Sequence, residues 1–145
     1  MDGSVVGCGG VALRIHVRYK GRALPLAWRV RRGPKGHFPE ALHIALVELV
    51  RTCLPEGPPV VFVGDGECDG ATLQQTLNEA GWSYACRTAQ RTVATWEGKT
   101  FRLDALGACS KPGTLIEFKE VKSTRDAYGP VMVLRCGAKG SQEPL

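Results

Sequence analysis

Positions 11 to 19 alternate almost strictly between apolar and polar residues. Val11, Leu13, Ile15, Val17 and Tyr19 fall on one parity; Ala12, Arg14, His16 and Arg18 fall on the other. That is the period of a half-buried strand. Lys20-Gly21 reads as a short turn, because glycine takes positive φ freely. Leu24, Leu26, Trp28 and Val30 then alternate again, so 10–30 is expected to be an antiparallel hairpin with one basic face and one buried face. Pro25 cannot donate a ladder hydrogen bond and places the second strand at an edge.

The period then changes. Leu42, Leu46, Leu49 and Cys53 recur at helical spacing, and Pro39 and Glu40 suit a first helical turn. A helix over 39–54 follows, with that stripe inward. Pro55, Gly57, Pro58 and Pro59 end it. Val60 to Val63 is a short continuous apolar run, as in a strand covered on both faces. It leads into Asp65-Gly66-Glu67-Cys68-Asp69-Gly70 and a second helix over 70–80, with Leu73 and Leu77 inward, Asp69 as its cap and Gly81 as its stop. Residues 82–87 read as another strand. Beyond them, turn signals at Glu97-Gly98 and Pro112-Gly113 separate strand-like runs at 92–96, 100–103, 114–121 and 131–135. The order strand, hairpin, helix, strand, helix, strand over the first 87 residues predicts an α/β arrangement around a mixed sheet, followed by a β-rich stretch.

Composition adds limits rather than detail. The chain of 145 residues is 43% hydrophobic and 23% charged, ordinary for one globular domain. Membrane crossing needs about 20 consecutive apolar residues, and no run approaches that. The beginning has neither the basic nor the apolar region of a secretory signal, so a cytoplasmic location is expected. The six cysteines have no C-x-x-C spacing and are expected as free thiols.

Charge changes the picture more. The formal net charge is +5, and its distribution is uneven. Between Asp2 and Glu40 there is no acid, while Arg14, Arg18, Lys20, Arg22, Arg29, Arg31, Arg32 and Lys35 are all basic. From Glu40 to Trp82 the only Lys or Arg is Arg51, among seven acids: Glu40, Glu48, Glu56, Asp65, Glu67, Asp69 and Glu79. A basic hairpin beside an acidic loop suggests a polyanion held near a carboxylate site; a solvated basic surface is the other reading.

The candidate chemistry centres on Asp65. It follows a buried strand at its carboxyl end, where open α/β sheets bind ligands, and the adjacent glycines allow close approach to the backbone. A calcium loop is excluded, because Thr76 stands where a bidentate Glu belongs. Asp69 reads as a cap and Glu67 as a solvated loop acid. His16, His37 and His43 do not suggest a metal trio, with His43 on the outer side of its helix. Ser4 lacks a nucleophile-elbow context. Trp28, Trp82 and Trp96 read as packing residues.

Taken in order, several stretches resemble the catalytic domain of DDE-type bacterial insertion-sequence transposases. They are Asp2-Gly3-Ser4, the run Tyr19-Lys20-Gly21-Arg22-Ala23-Leu24-Pro25-Leu26-Ala27-Trp28, the run from Val61 to Gly70, Gly81 to Thr88, and the end from Tyr128 to Leu145. The resemblance implies an RNase H-like α/β fold, a mixed sheet with flanking helices, with 1–87 as a partial catalytic core and 88–145 as a β-rich insertion leading back to it. It implies that Asp2 and Asp65 are catalytic and metal-holding carboxylates for Mg²⁺ or Mn²⁺. Two such ions would promote DNA strand cleavage and transfer at a phosphodiester. The partners implied are DNA, as transposon ends and target, and another transposase chain. The location implied is cytoplasmic and nucleoid-associated.

Such enzymes also need a third carboxylate, a Glu on a later helix. Glu143 precedes a proline and carries no helix signal, so the expectation is a transposase piece with little activity alone. Two alternatives accompany it: a non-catalytic RNase H-like module holding DNA by the basic hairpin, and a nuclease of this kind completed by a partner chain.

Overall fold

The computed structural model describes residues 1–7, 9–33, 38–89, 91–105, 113–123 and 128–136. The chain divides into two compact units, Met1–Thr88 and Ala89–Leu145.

In the first unit, β1 (Asp2–Val6), β2 (Gly10–Tyr19) and β3 (Arg22–Arg32) form an antiparallel sheet in the order β1-β2-β3. Lys20 and Gly21 turn the hairpin, both at positive φ, the twist that short hairpin turns require. Helix α1 (Glu40–Cys53) follows. Strand β4 (Val61–Gly64), helix α2 (Ala71–Glu79) and strand β5 (Ser83–Cys86) make one parallel crossover, with Phe62 opposite Tyr84. Val11, Leu13 and Ile15 of β2 share a core with Leu46, Val47 and Val50 of α1, Phe62 of β4, and Leu73 and Leu77 of α2.

The second unit holds β6 (Val93–Trp96), β7 (Lys99–Arg102), β8 (Leu115–Ser123) and β9 (Tyr128–Cys136). They form one antiparallel sheet in the order β7-β6-β8-β9. Ala94, Leu103 and Val121 form its buried centre, and Trp96 meets Phe118 edge to face with ring centres 5.4 Å apart.

Each element expected from the sequence has a counterpart within a few residues, but the RNase H-like α/β class does not hold. Half of the described residues are in strands and 22% in helix, with two helices and three separate sheets. The physical reason is pairing. The antiparallel β1-β2-β3 sheet and the parallel β4-β5 pair do not join into one ladder, so no mixed sheet flanked by helices is built.

Two local expectations also change. Helix α1 buries His43, Leu46, Val47 and Val50, while Leu49 and Cys53 are exposed. The apolar stripe read from the sequence shares Leu46 with the observed one. The face that meets the sheet is turned by one residue, about 100° around the axis. Strand β3 carries an irregularity opposite Ile15/His16, where Ile15 pairs with Ala27 and His16 with Pro25. One extra residue reverses which face the following side chains occupy.

Candidate functional site

The site is assembled from the start of β1, the end of β4 and the β2-β3 hairpin. The Met1 ammonium nitrogen donates a hydrogen bond to the Val63 carbonyl at 2.6 Å. This ties the first residue of the chain to the penultimate residue of β4. As a result Asp2 and Asp65 line one groove of about 880 Å³. The groove floor is apolar, including Ile15, Val50, Leu54, Phe62 and Trp82, and His16, Arg18 and Arg87 also line it.

Asp65 is exposed and oriented by its own loop. Its Oδ1 accepts the Glu67 N–H at 3.1 Å and the Cys68 thiol at 3.7 Å, and its carbonyl accepts the Cys68 N–H at 3.0 Å. Such side-chain-to-backbone bonds two residues on are how Asp shapes turns. Gly64 is required just before it. A β-carbon there would lie 2.9 Å from Cys68 Sγ and 3.1 Å from Phe62 Cε1. Asp2 is also exposed and stands opposite Arg14 in the sheet register.

The neighbouring acids behave differently from the sequence reading. Asp69 does not cap α2: its Oδ2 accepts the Thr88 hydroxyl at 2.9 Å. The cap comes from Glu40, whose Oε1 accepts the Leu73 N–H at 2.9 Å. Glu67 is not simply solvated. Its Oε2 is buried without a hydrogen-bond partner, 4.0 Å from where a β-carbon on Gly3 would stand. His43 is 1% exposed, not on the outer side of its helix. Burial lowers its pKa, opposed by the Pro39 carbonyl and by Glu67, Asp65 and Glu40. Neither ring nitrogen has a well-formed hydrogen bond. Burial also pushes the Cys68 thiol up to about 12 and the Cys86 thiol up to about 11, with nearby carboxylates adding to the effect. Cys53, Cys68, Cys86 and Cys136 are free thiols; Cys8 and Cys109 lie outside the described residues.

The basic residues of the hairpin do not form one face. Cross-strand partners share a face. One set is Asp2, Arg14 and Trp28, and another is Val6, Gly10 and Arg32. The opposite face carries Gly3, Leu13 and Arg29, then Val5, Val11 and Arg31. Arg14 is half-buried and donates to Ser4 Oγ. Arg31 lies over the Phe38 ring at 6.0 Å and Lys20 over Tyr19 at 5.2 Å. Arg18, Arg22, Arg29 and Arg32 are exposed. Lys35, His37 and Glu143 lie outside the described residues. Trp82 and Trp96 pack as expected, but Trp28 is 58% exposed.

As a metal site, the arrangement is open. Among the described residues no group of three or more His, Cys, Asp or Glu side chains is placed to hold a metal ion. One or two carboxylates are what Mg²⁺ usually takes from a protein, the rest coming from water and substrate phosphate. Asp2 and Asp65 therefore fit such an ion only together with a phosphate. Among the described residues no helix is long and apolar enough to cross a membrane. Comparisons with models of known families, with curated proteins and with solved structures returned no match.

Proposed function

We propose that this chain acts on DNA as part of a transposase, with Asp2 and Asp65 as a carboxylate pair and the hairpin as its DNA-holding surface. The observation that carries this reading is the shared groove. Two acids distant in sequence line it together with Arg18 and Arg87. The ordered sequence resemblance supports the same pair independently of the fold class.

In this reading Arg18 and Arg87 neutralise a phosphodiester entering the groove, while Arg32, on the same face of the sheet as Arg18, holds the flanking backbone with salt-sensitive affinity. Asp2 and Asp65 are the residues that would hold a divalent cation. When bound, such a cation supplies Lewis-acid activation of a water or a 3′-hydroxyl and stabilises the leaving oxygen. The third carboxylate is not among the residues brought together here, so strand transfer needs an acid from another polypeptide segment or a second transposase chain. DNA association would place the protein with the nucleoid. A purely DNA-binding, non-catalytic module is the second reading, favoured by the lack of a three-ligand group among the described residues.

The test is a DNA-binding titration with and without Mn²⁺, on the parent and on Asp65→Asn. The expected result is a Mn²⁺-dependent gain in DNA affinity that the variant loses. DNA binding equally strong without Mn²⁺, in both proteins, would overturn the carboxylate assignment and leave the binding module. No DNA binding by the folded parent would overturn both.

A further inference from the structure

The irregularity in β3 has a consequence on the outer face of the hairpin sheet. Trp28, on an edge strand, is 58% exposed, and Val30 beside it on the same face is 61% exposed. With Val30 beside it, the open indole makes a small contiguous apolar patch, and an aromatic ring brings a large apolar area to any partner that covers it. Its surroundings are cationic. Arg14 is its cross-strand partner, and Arg32 lies four residues along on the same face. Asp2 stands at the far end of the Trp28–Arg14 row, and the chain has no other acid before Glu40. An anionic strand is thus favoured along the Arg32 side and away from Asp2.

An open indole on a sheet face that also carries the exposed Arg32 matches one partner chemistry: an unpaired nucleobase attached to phosphate. A duplex keeps its base faces covered, whereas a single strand offers them for stacking. We infer that Trp28 is a stacking platform for an unpaired base of single-stranded DNA, with Arg32 taking the adjacent phosphate. This rests on the DNA reading above and names the form of DNA and the side chain that selects it.

The experiment is fluorescence anisotropy with a labelled oligothymidylate of about 12 nucleotides, within the site sizes such surfaces cover. A duplex of the same length is the comparison. The proteins are the full chain and its Trp28→Leu, Trp28→Tyr and Arg32→Ala variants. Trp28 is largely exposed, so folding should survive each change, and circular dichroism checks this. The expected result is single-strand affinity reduced by roughly 5- to 150-fold in Trp28→Leu, the range that base–aromatic stacking contributes. Trp28→Tyr should largely restore it, with little change on duplex. Arg32→Ala should weaken binding and flatten its salt dependence. Equal single-strand affinity in parent and Trp28→Leu, with Arg32→Ala weakened, would overturn the stacking role and keep the DNA reading. No binding of either DNA by the folded parent would overturn both.

Discussion

Glu40 Oε1 accepts the backbone N–H of Leu73 at 2.9 Å, so the first residue of α1 caps the start of α2. Gly70 occupies the cap position itself and offers no side chain, and the α2 first turn holds no acid of its own. The Glu40 carboxylate supplies both the acceptor and the negative charge that a helix N-terminus favours. Glu40→Ala should lower unfolding free energy by about 1 kcal/mol, the usual cost of a lost cap. Gly70→Ala should act in the same direction, because its β-carbon would lie 2.7 Å from Glu40 Cδ and push the carboxylate out. Urea denaturation of the double variant tests the link: the two losses should be less than additive, since both remove one interaction.

The Glu40 cap also shows where sequence reading stops. Asp69 stands just before the expected helix start at residue 70 and has the right side chain for a cap, yet α2 begins one residue later, with Gly70 at the cap position, and the Asp69 carboxylate is engaged by Thr88. A cap arriving from thirty-three residues away leaves no local signal. The same holds for β3. Its alternation was legible, and the hairpin was placed correctly, but the irregularity near Leu26 inverts the phase. Trp28 and Val30, expected inward, face outward with Arg14 and Arg32. In α1 the helical period is legible, while its rotation is not, because Val47 and Val50 are buried rather than Leu49 and Cys53. Whether consecutive strands join one sheet depends on long-range pairing, which no local pattern records; that is why the element order suggests a mixed sheet that the described residues do not form. Asp65 is legible as a strand-end acid, Asp2 only through the resemblance, and the Met1–Val63 bond that sets β1 beside β4 leaves no local signal.

His43 should make stability depend on pH. Its folded-state pKa lies below the ordinary value of 6.5, chiefly through burial. A base whose pKa is depressed on folding binds fewer protons folded than unfolded, so stability is lost as pH falls. The loss should begin near pH 6.5 and grow toward the lowered value. Chemical denaturation at pH 7.5 and pH 5.5 should show a lower midpoint at the acid value. His43→Leu should reduce that difference, since the other histidines remain. An undiminished pH difference in the variant would show that His43 is not its source.

The thiols should react in two classes. Cys68 and Cys86, with pKa values pushed up to about 12 and about 11, are protonated at neutral pH. Only the thiolate attacks an alkylating reagent. Cys53 and Cys136 are exposed. At pH 7.5, mass spectrometry after timed iodoacetamide treatment should find Cys53 and Cys136 modified well before Cys68 and Cys86. Denaturation should remove the difference. Equal rates in the folded chain would contradict the buried placement of Cys68 beneath Gly64.

Strands β4 and β5 should be the least protected pair of the first unit. Parallel sheets ordinarily have both faces covered, and an isolated two-stranded pair has little stability of its own. Here Val61 and Val63 are 63% and 62% exposed, and among the described residues β5 is the only strand paired with β4. By contrast β2 is paired on both sides, and Val11, Ala12 and Leu13 are buried. Native-state hydrogen exchange should therefore show faster opening across β4-β5 than in the middle of β2. Slower exchange in β4-β5 would mean that its open edge is covered in solution.

Asparagine, not alanine, is the informative substitution at Asp65. The Asp65 side chain does two separable things: it carries charge into the groove, and its Oδ1 accepts the Glu67 N–H and the Cys68 thiol. Asparagine keeps an acceptor oxygen at the same distance from the backbone and loses only the charge. Asp65→Ala loses both, and should cost about 1 kcal/mol of stability through the vacated turn bonds. Asp65→Asn should unfold close to the parent in urea. If it does, a Mn²⁺-dependent gain in DNA affinity that disappears in Asp65→Asn reports the missing charge rather than a rebuilt loop. If Asp65→Asn proves as unstable as Asp65→Ala, the carboxylate charge itself holds the loop. Asp65 would then have a structural role in the groove, independent of any cation.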